Sequence, residues 1–564
     1  MSGTPSPLVI PALRSLEKDS LPLAQGPPSP SLTKHNGLLP YPISTHKSTH
    51  YSHSLTPPPS SSSSSSSSSY SPSSSFRRKI LRLPFSLFGL LSLLAITLFC
   101  LLQLDLDISY TDRNGHERVL QLGLANKLTQ WRPGTTAIPY GHDRTGYPTE
   151  TQLVVHSPGW TVFTNLYQIN QTYLIVTSNP SAFPPERMMI STGQDIRNDH
   201  ENIRSREPTE KDIRIITPAQ ALLLFPVTYS SDGTPLGALV QHGHSWIVND
   251  PPQFINHYYH FAAECLYGLW RTYSSLIPGM IADKGEHAQL QMPNRLIFAR
   301  TGSEEWKDYS GMNALLMQAV LPNATVEFKK DSVNSDRPVV YEQVLLADRA
   351  AAYRGDRFAA TQRSASEAFL LPSTPNWWAP VRNSLMDHIG GVAQVDLIPG
   401  MRPRPVVTYV SRQSWGRRML KPEDHERLVE TLTRASIEDD WELNVVEMDK
   451  LSNEEQIRLA ARTTILMGVH GNGLTHLLWM KPEIRTTVME FFYPDGFAHD
   501  YEFTSRGLDM QYFGFWGSRT FTPATLPPVN YPEGFQGNEI PVDADVVLSL
   551  VRMKLSNEEE SDDG

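Results

Sequence analysis

The alternation of apolar and polar positions is clearest between residues 400 and 520. Residues 405–410 form an apolar run, and residues 423–435 repeat apolar positions at helical spacing. Residues 442–448 return to a strand pattern, and Ser452-Asn453-Glu454-Glu455 has the form of a capping box that opens a helix to Ala461. The apolar run 464–469 then stops at His470-Gly471-Asn472-Gly473. A short amphipathic run leads to Lys481-Pro482, and residues 487–492 supply another strand. Strand and helix repeated about every thirty residues predict a parallel sheet with right-handed crossovers, whose ligands bind outside the carboxyl ends of the strands.

The preceding part, roughly 151 to 390, is less regular. Residues 159–177 read as a β-hairpin, with two β-rich runs around the polar turn Asn170-Gln171. Residues 220–248 contain two more strand candidates, and residues 295–300 and 339–347 two further strands, with a helix over 306–321 between them. Residues 256–270 predict a helix with Tyr259, Leu266 and Trp270 on an apolar side. After residue 520 several prolines precede a closing helix over 542–555, then an acidic tail.

The amino-terminal quarter has a different composition. Residues 1–79 are rich in Pro and Ser, with an unbroken serine run at 60–69, and such a segment buries too little apolar surface to offset its ordering entropy. Basic residues 77–79 and Arg82 then precede the apolar run 83–104, which is long enough to cross a bilayer, and Asp105, Asp107 and Asp112 follow. The charge asymmetry places the tail in the cytosol and the bulk of the chain in the lumen, as a type II protein. A cleaved signal peptide fits less well, given the long tail and the lack of a small-residue cleavage site. Residues 105–150 read as a stem. The sequons at Asn170 and Asn323 fit a lumenal, glycosylated domain. The net charge of -10 argues against nucleic acid as a partner, and Cys265 is the only thiol outside the apolar run that holds Cys100.

Chemistry concentrates at the carboxyl ends of the expected strands. One end carries Ser411-Arg412 with Arg417 and Arg418, another His470-Gly471-Asn472-Gly473, a third Glu490 and Tyr493. Arginines beside a glycine turn and a helix amino-terminus make a clamp for a diphosphate, and Glu490 is placed to hold ribose hydroxyls. Taken singly, the turn has the form of an ordinary strand–helix connection. In the first half His260 and Glu264 are four residues apart on one helix face, where a carboxylate orients an imidazole. Asp348 and Arg349 follow the strand 339–347, either facing a cleft or forming a surface ion pair. The zinc-protease pattern His-Glu-x-x-His is absent.

These blocks resemble glycosyltransferase family 61, particularly its fungal members, within the superfamily of EGF-domain O-GlcNAc transferases and plant β-1,2-xylosyltransferases. The matching pieces are Trp160-Thr-Val-Phe-Thr-Asn-Leu-Tyr167, Asn256-His-Tyr-Tyr-His-Phe-Ala-Ala-Glu264, Asp348-Arg-Ala-Ala-Ala-Tyr-Arg-Gly355, Thr408-Tyr-Val-Ser-Arg-Gln413 with Arg417-Arg418, and Gly468-Val-His-Gly-Asn-Gly-Leu-Thr475. Many relatives have alanine where Asn472 stands. The resemblance implies an α/β GT-B architecture, two Rossmann-like domains facing a cleft, behind a single transmembrane helix. The expected divisions are a cytosolic tail at 1–79, an anchor at 80–104, a stem at 105–150, an acceptor-side domain at 151–395, a nucleotide-sugar domain at 396–520 and a return segment with the acidic tail at 521–564.

It further implies inverting transfer of xylose or N-acetylglucosamine from a UDP-sugar to a glycan or protein hydroxyl in the Golgi or endoplasmic reticulum. Neither a metal nor another cofactor is expected. Glu264 and His260 are the first candidates for the catalytic base, with Asp348 behind them. Asn256, Arg412, Arg417, His470, Gly471, Asn472, Gly473 and Glu490 are the expected substrate contacts. The alternative from another class is a non-catalytic lumenal glycan-binding or scaffold protein on a transferase fold.

Overall fold

The computed structural model describes residues 148–225, 238–278, 290–331, 338–391 and 404–556, and the backbone of 106–111, 117–122, 228–229 and 235–236. The expected anchor and cytosolic tail lie outside the described residues, and among those described no helix is long and apolar enough to cross a membrane. Within the expected stem, β1 (Leu106–Thr111) and β2 (Glu117–Leu122) pair antiparallel.

The first large sheet is built from β3 (Gln152–Ser157), β4 (Trp160–Ile169), β5 (Thr172–Val176), β6 (Ile213–Ile216), β9 (Leu239–Val248), β10 (Arg295–Phe298), β11 (Thr325–Phe328) and β12 (Val339–Ala347); β7 (Thr228–Tyr229) and β8 (Pro235–Leu236) pair separately. Its order is β11-β10-β9-β12-β4-β5-β6, with β3 also on β4. The strands from β11 to β12 run parallel, whereas β4 is antiparallel to β12, β5 and β3. The hairpin forms as expected: Asn170 and Gln171 both take positive φ, 49° and 66°, which matches the twist of flanking strands in a tight turn. Of the two strand candidates in 220–248, the second is β9, but residues 218–224 are helical, opened by a Thr217–Gln220 capping box. The helix expected over 306–321 is shorter, Met312–Val320, because a loop through Gly311 at positive φ precedes it.

The second sheet comprises β13 (Val406–Val410), β14 (Glu442–Val446), β15 (Ile465–Val469), β16 (Thr487–Phe491), β17 (Gln511–Trp516) and β18 (Arg519–Phe521), in the order β14-β13-β15-β16-β17-β18. All neighbours are parallel except β17 and β18. The strands read as continuous apolar runs because both faces are covered. Ser452 caps its helix as the sequence predicts, with its hydroxyl accepting from the Glu455 N–H at 3.3 Å and the Glu455 carboxylate accepting from the Ser452 N–H at 2.8 Å.

Both sheets reverse their winding once. In the first, β9, β10 and β11 step outward and β12 returns to the other side of β9; in the second, β14 lies on one side of β13 and β15 on the other. Such reversal points leave a crevice at the carboxyl ends of the two strands concerned. Residues following β9 and β12 in one sheet, and β13 and β15 in the other, therefore occupy the two sites where an α/β fold binds ligands.

The halves share one core. The Trp378 indole donates to the Leu478 carbonyl at 2.9 Å, and the Trp479 indole to the Tyr258 hydroxyl at 2.8 Å. These rings sit in a single buried cluster with Trp246, Trp270, Leu466 and Val488. Burying one large apolar side chain contributes ~1.5–3 kcal/mol, so this shared core joins the halves more strongly than any one surface ion pair. The closing helix, Ala544–Ser556, packs on the second half. Its Val547 and Val551 pack with Leu428 and Leu432 of the Pro422–Glu438 helix, on the second sheet.

Candidate functional site

The first half contributes a helix that changes pitch. Pro252–Ile255 is one α-helical turn, His260–Leu266 is π-helical, and Tyr267–Ser274 continues as α-helix. Single π turns inside helices recur at functional sites. Here the π turn places the His260 Nδ1 2.5 Å from the Glu264 Oε2. Arg349, the residue after Asp348 at the end of β12, puts its Nη1 2.5 Å from the same oxygen, and Ser364 donates to Oε1 through its N–H at 3.3 Å. Burial alone would raise the Glu264 carboxyl, but Arg349, the His260 hydrogen bond and Arg363 hold it well below the usual carboxylate range. Burial lowers the His260 imidazole by more than Glu264 raises it. The result is a carboxylate beside a neutral imidazole: Nδ1–H donates to Glu264, and Nε2 keeps its lone pair with no hydrogen-bond partner among the described residues.

Glu264 is thus committed to His260, Arg349 and Ser364, so the group able to take a proton is His260. Asp348 is placed differently from the base expected of it. It caps the Arg349–Ala352 turn through the Ala351 N–H at 2.8 Å and accepts from the Ser191 N–H and hydroxyl and the Asn249 amide. Its oxygens are occupied and it is fully buried, which makes it a support of the loop that delivers Arg349. Asn256 and His257 are exposed next to His260, and the His257 ring centroid lies 5.1 Å from that of His260. Crowding by neighbouring atoms, then the charges of His260, Arg418 and Arg417, lowers the His257 imidazole.

In the second half Arg412 follows β13 and lies against the turn after β15. A Cβ on Gly471 would come 2.8 Å from the Arg412 Nη1, so a side chain there would displace the guanidinium. The Arg412 side chain makes no ion pair or hydrogen bond with another described residue; its Nε is buried without a partner and its guanidinium carbon lies 5.6 Å from the Trp415 ring centre. Burial, then the charge of Arg418, pulls Arg412 down to about 10. Arg418 donates to the His470 carbonyl at 3.4 Å and to Gln536, while Arg417 is exposed. After the turn, residues Asn472–Trp479 form the expected helix as a 3₁₀-helix, and the Thr475 hydroxyl donates to the Asn472 side chain.

Glu490, in the middle of the apolar strand β16, is fully buried. Its Oε1 lies 2.5 Å from the His470 Nδ1, and its Oε2 accepts from the Tyr512 hydroxyl at 2.7 Å. The structure therefore places Glu490 behind His470, with both oxygens engaged, and not where a ribose would contact it.

A chain of rings links the two halves: His260 to Tyr259 at 5.2 Å, Tyr259 to Tyr501 at 5.4 Å, Tyr501 to His470 at 5.5 Å. Beside it the buried Arg363 pairs with Asp500 at 2.7 Å, and its charge acts on both His260 and His470. The sequence reading missed Arg349 in this role, and it missed Arg363, Asp500 and Tyr512 altogether.

Residues 258–489 match the family described as Glycosyltransferase 61. The chain carries a glycosyltransferase family 61 region. The match bears out the family, and no narrower subgroup, in the resemblance drawn from the sequence blocks, and the family implies glycosyltransferase activity, with a donor sugar and an acceptor. No curated protein matches the chain. The family 61 region spans His260, Glu264, Asp348, Arg349, Arg412, Arg417 and the 470–473 turn, whereas Asn256 and Glu490 fall just outside it. Among the described residues no three His, Cys, Asp or Glu side chains are grouped to hold a metal ion. Cys265 is buried, and burial raises its thiol pKa further. Both sequon asparagines, Asn170 and Asn323, are exposed.

Proposed function

We propose that this chain is an inverting glycosyltransferase of the GT-B type, moving xylose or N-acetylglucosamine from a UDP-sugar to a hydroxyl of a glycan or glycoprotein. The observation that carries the reading is Arg412: a half-buried guanidinium with a buried, unpartnered Nε and no anionic partner among the described residues, flanked by Arg417, Arg418 and His470 at a sheet reversal point. A partly desolvated cation without a counter-charge is costly, and a diphosphate supplies the missing charge in a bidentate geometry. Opposite it, His260 presents an unprotonated Nε2 held by Glu264.

In this reading His260 Nε2 takes the proton of the acceptor hydroxyl, and the acceptor oxygen forms a bond to the anomeric carbon. The bond from that carbon to the diphosphate breaks on the opposite face, and UDP leaves with the electron pair. Arg412, Arg418 and His470 meet the charge that develops on the leaving oxygen. Fixed cations there make a metal unnecessary in this proposal. The membrane anchor at 80–104, the type II orientation, the Golgi or endoplasmic reticulum location and glycosylation at Asn170 and Asn323 belong to the same proposal, supported by sequence composition.

The test uses the purified full-length chain. Calorimetry with UDP should show binding that Arg412→Ala weakens by ~10- to 100-fold, the size of a lost charged hydrogen bond. UDP release should be measured with UDP-xylose and UDP-N-acetylglucosamine. Unchanged UDP binding by Arg412→Ala would sink the assignment, and a wild-type chain that binds no nucleotide sugar would leave the non-catalytic glycan-binding role standing.

A further inference from the structure

The reaction as proposed uses His470 but leaves Glu490 and Tyr512 without a task. Both are fully buried, and they form a chain: the Tyr512 hydroxyl donates to one oxygen of Glu490 at 2.7 Å, and the other oxygen lies 2.5 Å from the His470 Nδ1. The His470 Nε2 has no partner among the described residues, and the side chain keeps a small exposed edge at 9%. A neutral imidazole has one donor and one acceptor, so what Nδ1 does dictates what Nε2 offers. If Glu490 accepts from Nδ1–H, Nε2 presents a lone pair. If Glu490 is the protonated acid and donates to Nδ1, Nε2 presents an N–H.

The surroundings select the second arrangement. Arg418, Arg363 and Arg412 face His470, while Phe492, Tyr501 and Phe535 pack around its ring. Burial and those three cations exclude an imidazolium. Glu490 faces Tyr512 from β17 and the carboxylates Asp500 and Glu502 from the Asp500–Gly507 helix, with Arg418 as the cation acting on it. Burial raises its carboxyl well above the usual range, the two carboxylates add to that, and Tyr512 opposes it. Because Tyr512 donates to Oε2, the acid proton resides on Oε1, facing Nδ1.

We infer that Glu490 and Tyr512 are positioning residues that fix His470 as an Nε2–H donor, aimed at an oxygen of a bound nucleoside diphosphate beside Arg412. The inference rests on the nucleotide-sugar reading of this site. It assigns binding of a polyanion to a histidine that carries no charge, with a buried acid as the device that sets its tautomer. When Glu490 ionises, the tautomer reverses and a negative charge appears behind the ring. Both changes weaken anion binding, so affinity for UDP falls on the alkaline side.

The experiment is UDP binding to the full-length chain across pH, by calorimetry, for wild type, Glu490→Gln, Glu490→Leu, Tyr512→Phe and Arg412→Ala. Glutamine keeps a neutral donor toward Nδ1 and an acceptor toward Tyr512. Glu490→Gln should therefore bind near wild type at neutral pH and lose the alkaline weakening; titrations of UDP itself are common to both proteins. Glu490→Leu should weaken binding about tenfold, as for one lost hydrogen bond to a charged ligand. Tyr512→Phe, which removes the hydroxyl that steadies the ionised acid, should move the alkaline limb to higher pH. An alkaline limb unchanged in Glu490→Gln, or wild-type affinity in a folded Glu490→Leu, overturns the inference. If Glu490→Leu fails to fold, Glu490→Gln and Tyr512→Phe decide. Unweakened Arg412→Ala defeats the site reading itself, whereas weakened Arg412→Ala with indifferent Glu490 variants defeats this inference alone.

Discussion

Each half of the molecule buries a histidine against a glutamate, with Nδ1 2.5 Å from a carboxyl oxygen in both. The pairs nevertheless do opposite work, because their neighbours differ. Glu264 has Arg349 on the same oxygen and stays a carboxylate, so His260 carries its proton on Nδ1 and leaves Nε2 basic. Glu490 has Tyr512 in front and Asp500 and Glu502 nearby, and the arginines crowd its histidine instead; it keeps its proton, and His470 becomes a donor. The distance between two titratable groups fixes that they share a proton. The charges one residue further out decide which of them holds it.

The sharpest way to break this comparison is to remove the two histidines separately. His260→Ala should lower kcat by ~10²- to 10⁴-fold, the usual worth of a positioned general base, with little change in KM for the donor. His470→Ala should act on donor binding and on the leaving-group charge, raising KM along with any loss in kcat. Steady-state kinetics on the two variants checks this. Equal losses in the same parameter would mean that the two imidazoles share one role.

Next in size is the support of the first pair. Arg349 is buried and its guanidinium carbon lies 4.4 Å from the Phe254 ring centre, so it has no route to water. Arg349→Met should cost ~3–5 kcal/mol in urea unfolding, since it strands the buried Glu264 charge. The double variant Arg349→Met/Glu264→Gln should recover the Glu264 share of that loss, leaving only Asp250, 3.5 Å from the Arg349 Nε, without its counter-charge. A double variant as unstable as the single one would show that Arg349 acts by packing and not by charge.

How much of this was legible in the sequence follows from where each residue gets its neighbours. The second sheet was readable because its strands are unbroken apolar runs ended by capping residues and glycines, as at Ser452 and Gly471. His260 with Glu264 was readable because both lie on one helix, at a spacing that brings them together whether the turn is α or π. Arg349 was in view but ambiguous: a charged residue after a strand reads equally as a surface ion pair, and only the order β9-β12 turns it inward. Arg363, Asp500 and Tyr512 come from separate elements with no local motif, so nothing in periodicity joins them. Glu490 did leave a signal. A carboxylate inside the apolar run of β16 cannot reach water, which points to a buried partner and away from a ribose.

The smallest expected effect is the most diagnostic, because its sign differs between the pairs. Glu264 has a folded pKa below its unfolded value, so the stability it contributes is fully present above the unfolded pKa and is lost as pH falls through the folded pKa. Glu490 has a folded pKa above its unfolded value. The unfolded chain releases that proton first, so the stability tied to the protonated acid is present below the unfolded pKa and is lost as pH rises through the folded pKa. Substituting glutamine removes each titration without removing the hydrogen-bonding shape. At about pH 7, above the unfolded carboxyl range of ~4.3, Glu264→Gln should be less stable than wild type and Glu490→Gln more stable. Toward about pH 4 the first deficit should shrink, and so should the second gain, as the unfolded glutamates take up protons. Urea unfolding of the three proteins across that range reads both slopes. Parallel slopes would mean that the two glutamates hold the same charge, and the difference between the halves would then have to come from the arginines alone.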